Sequence, residues 1–526
     1  MSQPMVQAPE ALREKEQFRA QMGHISRHSG VFFAGTLFTT ALSYVFKVYL
    51  ARVLGAEALG TYALGMTVVG LAGIFGGMGL TWAASRFPGV YARGGRNEEL
   101  RSFLTWSVLS LVAVNGVLGF GIYAARQWIA NRIYHVPVLS GYIYLFALIM
   151  FLGALTNFFG QLLTGYKDVA RRTMIANVAG GVLTIVFTVA LVEMGTGLWG
   201  YIAAQVLSAF VVLILLFRAA SQLTPRAARI SWRPVAAPPH EMFRFATAAF
   251  TMDLVGFLYA QTDKMILGFY LDVRSIGIYA VAASVVAFLA IALQSVNQIF
   301  SPTIADLHAR GDFAMLHRVF QVLAKWTFAF TVPLAAVVVI FARMFMRVFG
   351  QDFEVGWLIL VIGAVGQLVN CGVGSVGYML LMSGNERKLV RVQLASGVLT
   401  VCCCLFFVRE WGIIGAAAAA AIGNIANNVW CLVEVKRALG MSPYNRSYWR
   451  LTLPVGATLV AAIAARAILR SVTHDIVAIM LATLMVYGVF LSSVFLVGLD
   501  VDDRFIASAI WYRLRNLIPR SQEGLA

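Results

Sequence analysis

The sequence predicts an all-α polytopic membrane protein of about fourteen transmembrane helices: two six-helix halves related by an internal repeat, then two further helices. Three observations predict it. Hydrophobic residues make up 60% of the 526-residue chain and charged residues only 12%, about half the charge of a soluble domain. The apolar runs are long and continuous rather than alternating, which selects helices over a membrane barrel. Two distant stretches also match without a gap. Lys47–Leu71 (KVYLARVLGAEALGTYALGMTVVGL) aligns with Lys264–Phe288 (KMILGFYLDVRSIGIYAVAASVVAF), pairing Lys47 with Lys264, Gly60 with Gly277, Tyr62 with Tyr279 and Val69 with Val286. The spacing of 217 residues recurs almost unchanged downstream. Gly95 and Leu100 return as Gly311 and Leu316, Gly181-Val-Leu-Thr184 as Gly397-Val-Leu-Thr400, and Gly197 and Gly200 as Gly412 and Gly415. Ordered matches at nearly one spacing indicate duplication, and many secondary transporters are built from duplicated sets of helices.

Residues 1–28 are polar and read as a cytoplasmic segment; the first apolar run is too long for the core of a cleavable signal. The first half, 29–218, holds apolar runs at 29–51, 59–84, 101–125, 140–164, 172–193 and 196–218. A basic linker at 219–242, punctuated by Pro225, Pro234, Pro238 and Pro239, leads to the second half at 243–434. Its runs fall at 243–270, 275–301, 322–342, 355–382, 389–408 and 411–434. Two extra helices follow within 451–498. In 500–526, Ile506, Ile510, Leu514 and Leu517 form a stripe beside Arg504, Arg513 and Arg515, which suits a helix lying on the inner membrane surface.

The net charge of +17 does not indicate nucleic acid. Most Lys and Arg fall in the termini and the loops on the same side, so the positive-inside rule places both termini in the cytoplasm. No nucleic-acid motif accompanies the charge.

Several runs carry polar residues at helical spacing. They are Thr36, Thr40, Ser43 and Lys47; Asn157, Gln161 and Thr164; Gln294, Asn297, Gln298 and Ser301; Gln367 and Asn370; and Asn424, Asn427 and Asn428. Such amides and hydroxyls can bond helices together. Stripes in both halves predict a water-filled interior. Lys47 and Lys264 lie inside spans, nearer the outer end. They either snorkel to headgroups or form a pair of cations that grips an anionic group such as a phosphate. Asp253 is nearer the middle of its span, a candidate proton or sodium site or the partner of a lysine. Asp263, next to Lys264, is a second ion-coupling candidate or one half of a structural charge pair.

Other motifs predict no cofactor and no metal. Gly372-Val-Gly-Ser-Val-Gly377 fits the dinucleotide fingerprint but sits within an apolar span, where close packing or a helix break explains it better. Asp500-Val-Asp-Asp503 reads as a helix cap. The five cysteines lack metal spacing and read as membrane-buried thiols. There is no Walker A sequence, so ATP does not drive this chain directly.

Ala51-Arg-Val-Leu-Gly55, Leu59-Gly-Thr-Tyr-Ala-Leu64, Gly77-Met-Gly-Leu80 with Arg86, and Gln261-Thr-Asp-Lys264 followed by Gly277-Ile-Tyr-Ala280 resemble the polysaccharide transporter family. That family belongs to the superfamily of multidrug, oligosaccharidyl-lipid and polysaccharide exporters. The resemblance covers about residues 27–500. It implies two inverted-V six-helix bundles around a central cavity with two extra C-terminal helices. It also implies a flippase that moves undecaprenyl-pyrophosphate-linked oligosaccharide from the inner to the outer leaflet by alternating access. The setting would be a bacterial cytoplasmic membrane, in O-antigen or exopolysaccharide synthesis, beside a polymerase and glycosyltransferases. Lys47 and Lys264 then become the candidates for pyrophosphate binding, and a proton or sodium gradient the candidate drive. Two alternatives remain: an ion-coupled multidrug exporter, and a membrane glycosyltransferase or polymerase. The short outer loops disfavour the last.

Overall fold

The structure, a computed structural model, describes residues 7–230 and 240–498, with side chains from residue 42 onward except at 255, 258–264, 298, 299 and 302. The expected surface helix beyond residue 500, its Asp500–Asp503 cap and the 1–6 terminus lie outside the described residues. Every regular element among the described residues is helical.

We number the longer helices α1 Gln7–Gly77, α2 Leu80–Arg93, α3 Asn97–Ala124, α4 Ile143–Gly165, α5 Gly180–Leu191, α6 Gly197–Leu223, α7 His240–Tyr270 and α8 Val273–Phe288. Then come α9 Ile291–Ala309, α10 Phe313–Ile340, α11 Ala342–Phe349, α12 Trp357–Val373, α13 Val376–Met382, α14 Glu386–Leu439, α15 Thr452–Ile468 and α16 Asp475–Val497. Nine helical stretches among the described residues are long and apolar enough to span a bilayer. The count is ten if α8 and the start of α9, bent by 51°, form one span. The expected fourteen is not reached this way because some crossings run on without a loop. Val169–Leu223 has 55 residues and Glu386–Leu439 has 54, each about twice what a bilayer needs at 1.5 Å per residue. Non-helical dihedrals interrupt α1 at Gly55 and α14 at Gly412.

These interruptions follow the repeat. Gly197 has φ 55°, ψ −132° and its counterpart Gly412 has φ 57°, ψ −131°. Only glycine occupies that region cheaply. The α2–α3 and α9–α10 turns also match bond for bond. Arg96 N–H donates to Tyr91 O at 3.0 Å, and Asp312 N–H to Leu307 O at 3.0 Å. Gly95 and Gly311 sit at the left-handed position with φ 68° and 73°, the Schellman arrangement that satisfies the last carbonyls of a helix.

Contacts divide the chain into two compact units, residues 1–54 with 61–257, and residues 55–60 with 258–526. The first unit is packed around Phe87, Phe103, Phe158, Leu163 and Leu216 from α2, α3, α4 and α6. Ala228 from the basic linker and Met242 from α7 join this core. In the second unit, Phe300, Phe320, Met379 and Val435 centre one core. The last two helices pack on α10 through Ala336, Val337, Ala462, Ala465, Ala482 and Val486. Their loop is fixed at one end by the two-pronged Arg347–Asp475 pair, at 2.9 and 3.1 Å. The chain leading into α15 is held separately, where His317, Gln321 and buried Lys325 bond Ser442, Asn445 and Ser447.

Also within the second unit, the stretch 55–60 lies against the start of α8. A Cβ at Gly60 would overlap Val273 O, and one at Gly277 would overlap Ala56 O. Each residue of one pair is the repeat counterpart of the other, so small residues let two backbones touch reciprocally. Before α8, Asp272 accepts from Ser275 N–H at 3.1 Å. Partial burial pushes its carboxyl up, but bonds from Ser275 and backbone N–H groups outweigh this and hold it below the usual carboxylate range.

Candidate functional site

Each polar stripe is set by helical periodicity, and packing decides what it meets. On α4, Asn157 is exposed and Gln161 half-buried. Gln161 accepts from Arg172 Nη1 at 3.2 Å, and Thr164 accepts from the same nitrogen at 3.0 Å. Arg172 is positioned by the helical turn Val169–Thr173, which Asp168 caps through Arg171 N–H. No carboxylate among the described residues lies within ion-pair distance of Arg172; its anchors are neutral acceptors.

Asp253 on α7 accepts from Trp82 Nε1 on α2 at 2.9 Å. The approach depends on the break before α2. Met78 and Gly79 both have positive φ, and Gly79 lies where a Cβ would overlap Ala246 O. Phe75 and Phe250 meet beside it, with ring centroids 5.7 Å apart. The indole N–H is a neutral donor, so it fixes the position of the carboxylate without supplying an opposite charge.

Lys47 is exposed, its Nζ 5.0 Å from the Tyr44 ring centroid. Nearby Tyr49 donates to Glu193 at 2.9 Å. Ser43 is exposed. Thr36 and Thr40 lie on α1, and Asp263 and Lys264 on α7, but their side chains are outside the described residues. On α9, Gln294 is exposed and Asn297 half-buried. The Asn297 amide oxygen is buried with no partner among the described residues, as is that of Asn427 on α14. Such atoms are few in native proteins and each asks for a water or ligand.

A cavity of about 280 Å³ opens inside the second unit. Tyr279 of α8, Gly363 and Gln367 of α12, and Thr400, Ala420 and Asn424 of α14 line it. Asn424 donates to Gly366 O at 3.4 Å and accepts from Asn428 at 2.8 Å; Gln367 accepts from Asn370 at 2.9 Å. In the first unit, by contrast, Tyr62 donates to Gln205 at 3.0 Å and meets Tyr201 with centroids 4.8 Å apart.

The glycine-rich run behaves as a helix break. α12 ends at Val373, Gly374 has φ 75°, and Tyr448 donates to Gly372 O at 3.0 Å. Cys371, Cys404 and Cys431 are buried, whereas Cys402 is exposed on the surface of α14. No cluster of metal-ligating side chains occurs among the described residues.

The sequence signalled Gln161, Asp253, Gln367 and Asn424 through their polarity within apolar runs. It did not signal Arg172 or Trp82, and it marked Tyr279 and Thr400 only as positions matched in the repeat. Arg172 opens an apolar run on the basic side, where arginines are commonplace, and the others are ordinary membrane residues.

A family profile described as polysaccharide biosynthesis protein matches residues 49–355. The chain belongs to this family. A curated relative, the probable low-salt glycan biosynthesis flippase Agl15 of Haloferax volcanii, is 22% identical over 189 residues. That match spans 36% of this chain and 40% of the relative's length. Among solved structures, the lipid II flippase MurJ in an inward closed conformation aligns with 93% of this chain and 99% of its own, at 15% identity and TM-score 0.67. An inward-facing multidrug resistance MATE family transporter of the MOP superfamily aligns with 76% of this chain and 94% of its own, at 16% identity and TM-score 0.60. The fold of this polysaccharide biosynthesis protein is therefore that of MOP-superfamily transporters, and it is a multi-pass membrane protein.

Proposed function

We propose that this protein is a flippase that carries undecaprenyl-pyrophosphate-linked oligosaccharide from the inner to the outer leaflet of a bacterial cytoplasmic membrane, by alternating access. The family match over residues 49–355 carries the reading. The duplicated helical architecture, and polar side chains spent inside apolar helices, support it. Lys47 and Lys264 grip the pyrophosphate, with Thr36, Thr40, Ser43, Asn157, Gln161, Gln294 and Asn297 supplying neutral contacts. Asp253 and Asp263 couple the cycle to a proton or sodium gradient. Both termini face the cytoplasm, and the glycan is passed on to a polymerase for O-antigen or exopolysaccharide assembly.

The second reading is an ion-coupled multidrug exporter. The likeness to the MATE fold favours it, but covers 76% of the chain against 93% for MurJ.

The test is a leaflet assay in cells depleted of the protein. Lipid-linked glycan is scored by its access to an impermeant periplasmic reagent. Wild type, Lys47→Ala, Lys264→Ala and Asp253→Asn are added back at matched expression. Wild type should clear glycan from the inner leaflet, and each variant should slow clearance about tenfold or more, the worth of one charge-assisted contact. Clearance by every variant would leave the function and remove the sites. Normal glycan crossing without the protein, together with ion-dependent efflux of amphipathic cations through it, would favour the second reading.

A further inference from the structure

We propose that the cavity inside the second unit is a subsite for one uncharged, hydroxyl-bearing ring, a sugar residue of the cargo's glycan. This rests on the flippase reading and adds where the sugar, rather than the pyrophosphate, is held.

Volume comes first. About 280 Å³ is roughly nine waters' share of liquid, and near the lower end of small-molecule pockets at about 300 Å³. That is the scale of a single hexose ring rather than of a drug-sized ligand.

Lining chemistry comes second. No acidic or basic side chain lines the cavity among the described residues; the polar groups are Tyr279, Gln367, Thr400 and Asn424. An ion stripped of water there would meet no opposite charge, which is costly. A sugar hydroxyl both donates and accepts, and amides answer both needs. The amides are already held: Asn424 between Gly366 O and Asn428, Gln367 against Asn370. Gln367's amide nitrogen donates to no described residue, so its two N–H groups are available to a ligand's oxygens. Gly363, Gly366, Ala417, Ala420 and Ala421 supply flat walls against which a ring's C–H face can lie.

The repeat supplies the third argument. Tyr279 is the counterpart of Tyr62. Continuing the Gly197/Gly412 register, Gln205 corresponds to Ala420 and Tyr201 to Ala416. In the first half Gln205 accepts from the tyrosine hydroxyl, whereas its counterpart Ala420 lines the cavity. The second half has alanine at both positions and keeps the tyrosine. Space that the first half fills with an amide against the tyrosine is suited to polar contents.

The test uses the full chain in lipid nanodiscs, as wild type, Ala420→Gln and Gln367→Leu. Thermal stabilisation is titrated with glucose, galactose, mannose, rhamnose and N-acetylglucosamine, and with glucuronate, sodium chloride and farnesyl pyrophosphate as controls. At least one neutral sugar should stabilise the wild type. Both variants should raise its half-saturating concentration about tenfold, one lost hydrogen bond or more. Their response to farnesyl pyrophosphate should not change. Should Ala420→Gln fail to elute as one species, Gln367→Leu, which adds no bulk, carries the comparison. The proposal is overturned if no neutral sugar stabilises the wild type, if the variants respond as the wild type does, or if sodium gives the response that the variants lose. The leaflet assay on the same proteins separates the two readings. Sugar binding lost in the variants, with a wild type that moves no lipid-linked glycan, keeps the subsite and removes the flippase.

Discussion

In the first half of the repeat, Tyr62, Gln205 and Tyr201 close on one another; in the second, Tyr279 faces alanines across a cavity. A few residues along the same helices, the halves reverse roles. Thr184 donates to Ser208 at 2.9 Å in the first half. In the second, Ser208's counterpart is Gly423, so close to Thr400 that a Cβ would overlap the hydroxyl. Yet the breaks at Gly197 and Gly412 agree within 2° in both dihedrals. Backbone devices survive duplication because few residue types can replace them. Interior side chains diverge because a helix pair tolerates several fillings of one crossing. Function should therefore be sought where fillings differ, and stability where backbones agree.

The largest expected effect tests the shared backbone. Gly277→Leu and Gly60→Leu each drive a side chain into a carbonyl that has no room to retreat. Each should cost about 3 kcal/mol or more, at or above the usual range for overpacking, and the two losses should be similar. Thermal unfolding of the purified proteins measures this; a harmless Gly60→Leu beside a ruinous Gly277→Leu would break the reciprocity. The next effect tests the divergent fillings. Gly423→Ala should cost about 2 kcal/mol by meeting Thr400, despite the helix propensity alanine adds. Adding Thr400→Ala should recover most of it, a coupling of about 1–2 kcal/mol. In the first half, Ser208→Ala should lose only its hydrogen bonds, about 1 kcal/mol, and show no such rescue. A smaller effect is expected from Tyr62→Phe. It strips Gln205's amide oxygen of a donor at a half-buried site, about 1–1.5 kcal/mol. Equal losses from Ser208→Ala and Gly423→Ala would mean the two crossings are not alternative fillings of one site.

Why some of this was legible and some was not follows from where each signal resides. Composition and matched glycines are local, so the helical class and the duplication could be read from the sequence, whereas Gly372–Gly377 could be read only as close packing or a break. The number of crossings could not be counted from helix lengths in the structure. Gly55 and Gly412 turn the chain without ending its hydrogen-bonded run, so two crossings merge into one long helix. Asp253 announced itself as a charge in an apolar run, but its partner Trp82 lies 171 residues away and nothing in a tryptophan marks it. The cavity was hidden for a different reason. It is made by what Ala417, Ala420 and Ala421 lack, and alanine in a membrane helix carries no message by itself. It becomes legible only when the Gly197/Gly412 register is carried forward residue by residue.

The smallest expected effect runs in the stabilising direction and sharpens the comparison. α4 and α13 end in the same turn. Asp168 N–H donates to Leu163 O at 2.9 Å, and Asn385 N–H to Leu380 O at 2.9 Å. Between them, Gly384 holds the left-handed position at φ 77°, while its counterpart Lys167 is forced to φ 65°. A side chain there crowds the neighbouring carbonyl, a strain glycine does not feel. Lys167→Gly should therefore stabilise the protein by about 0.5–1 kcal/mol, less than the full strain because glycine also gains freedom when unfolded. Gly384→Lys should lose a similar amount, since nothing lies within 4 Å of its missing Cβ and backbone strain alone is at stake. Matched thermal scans of the two exchanges give equal and opposite shifts if the turns are equivalent. A Lys167→Gly variant that is less stable than wild type would show that the lysine side chain contributes more there than its backbone costs, and that the first half has put this turn to a use the second half has not.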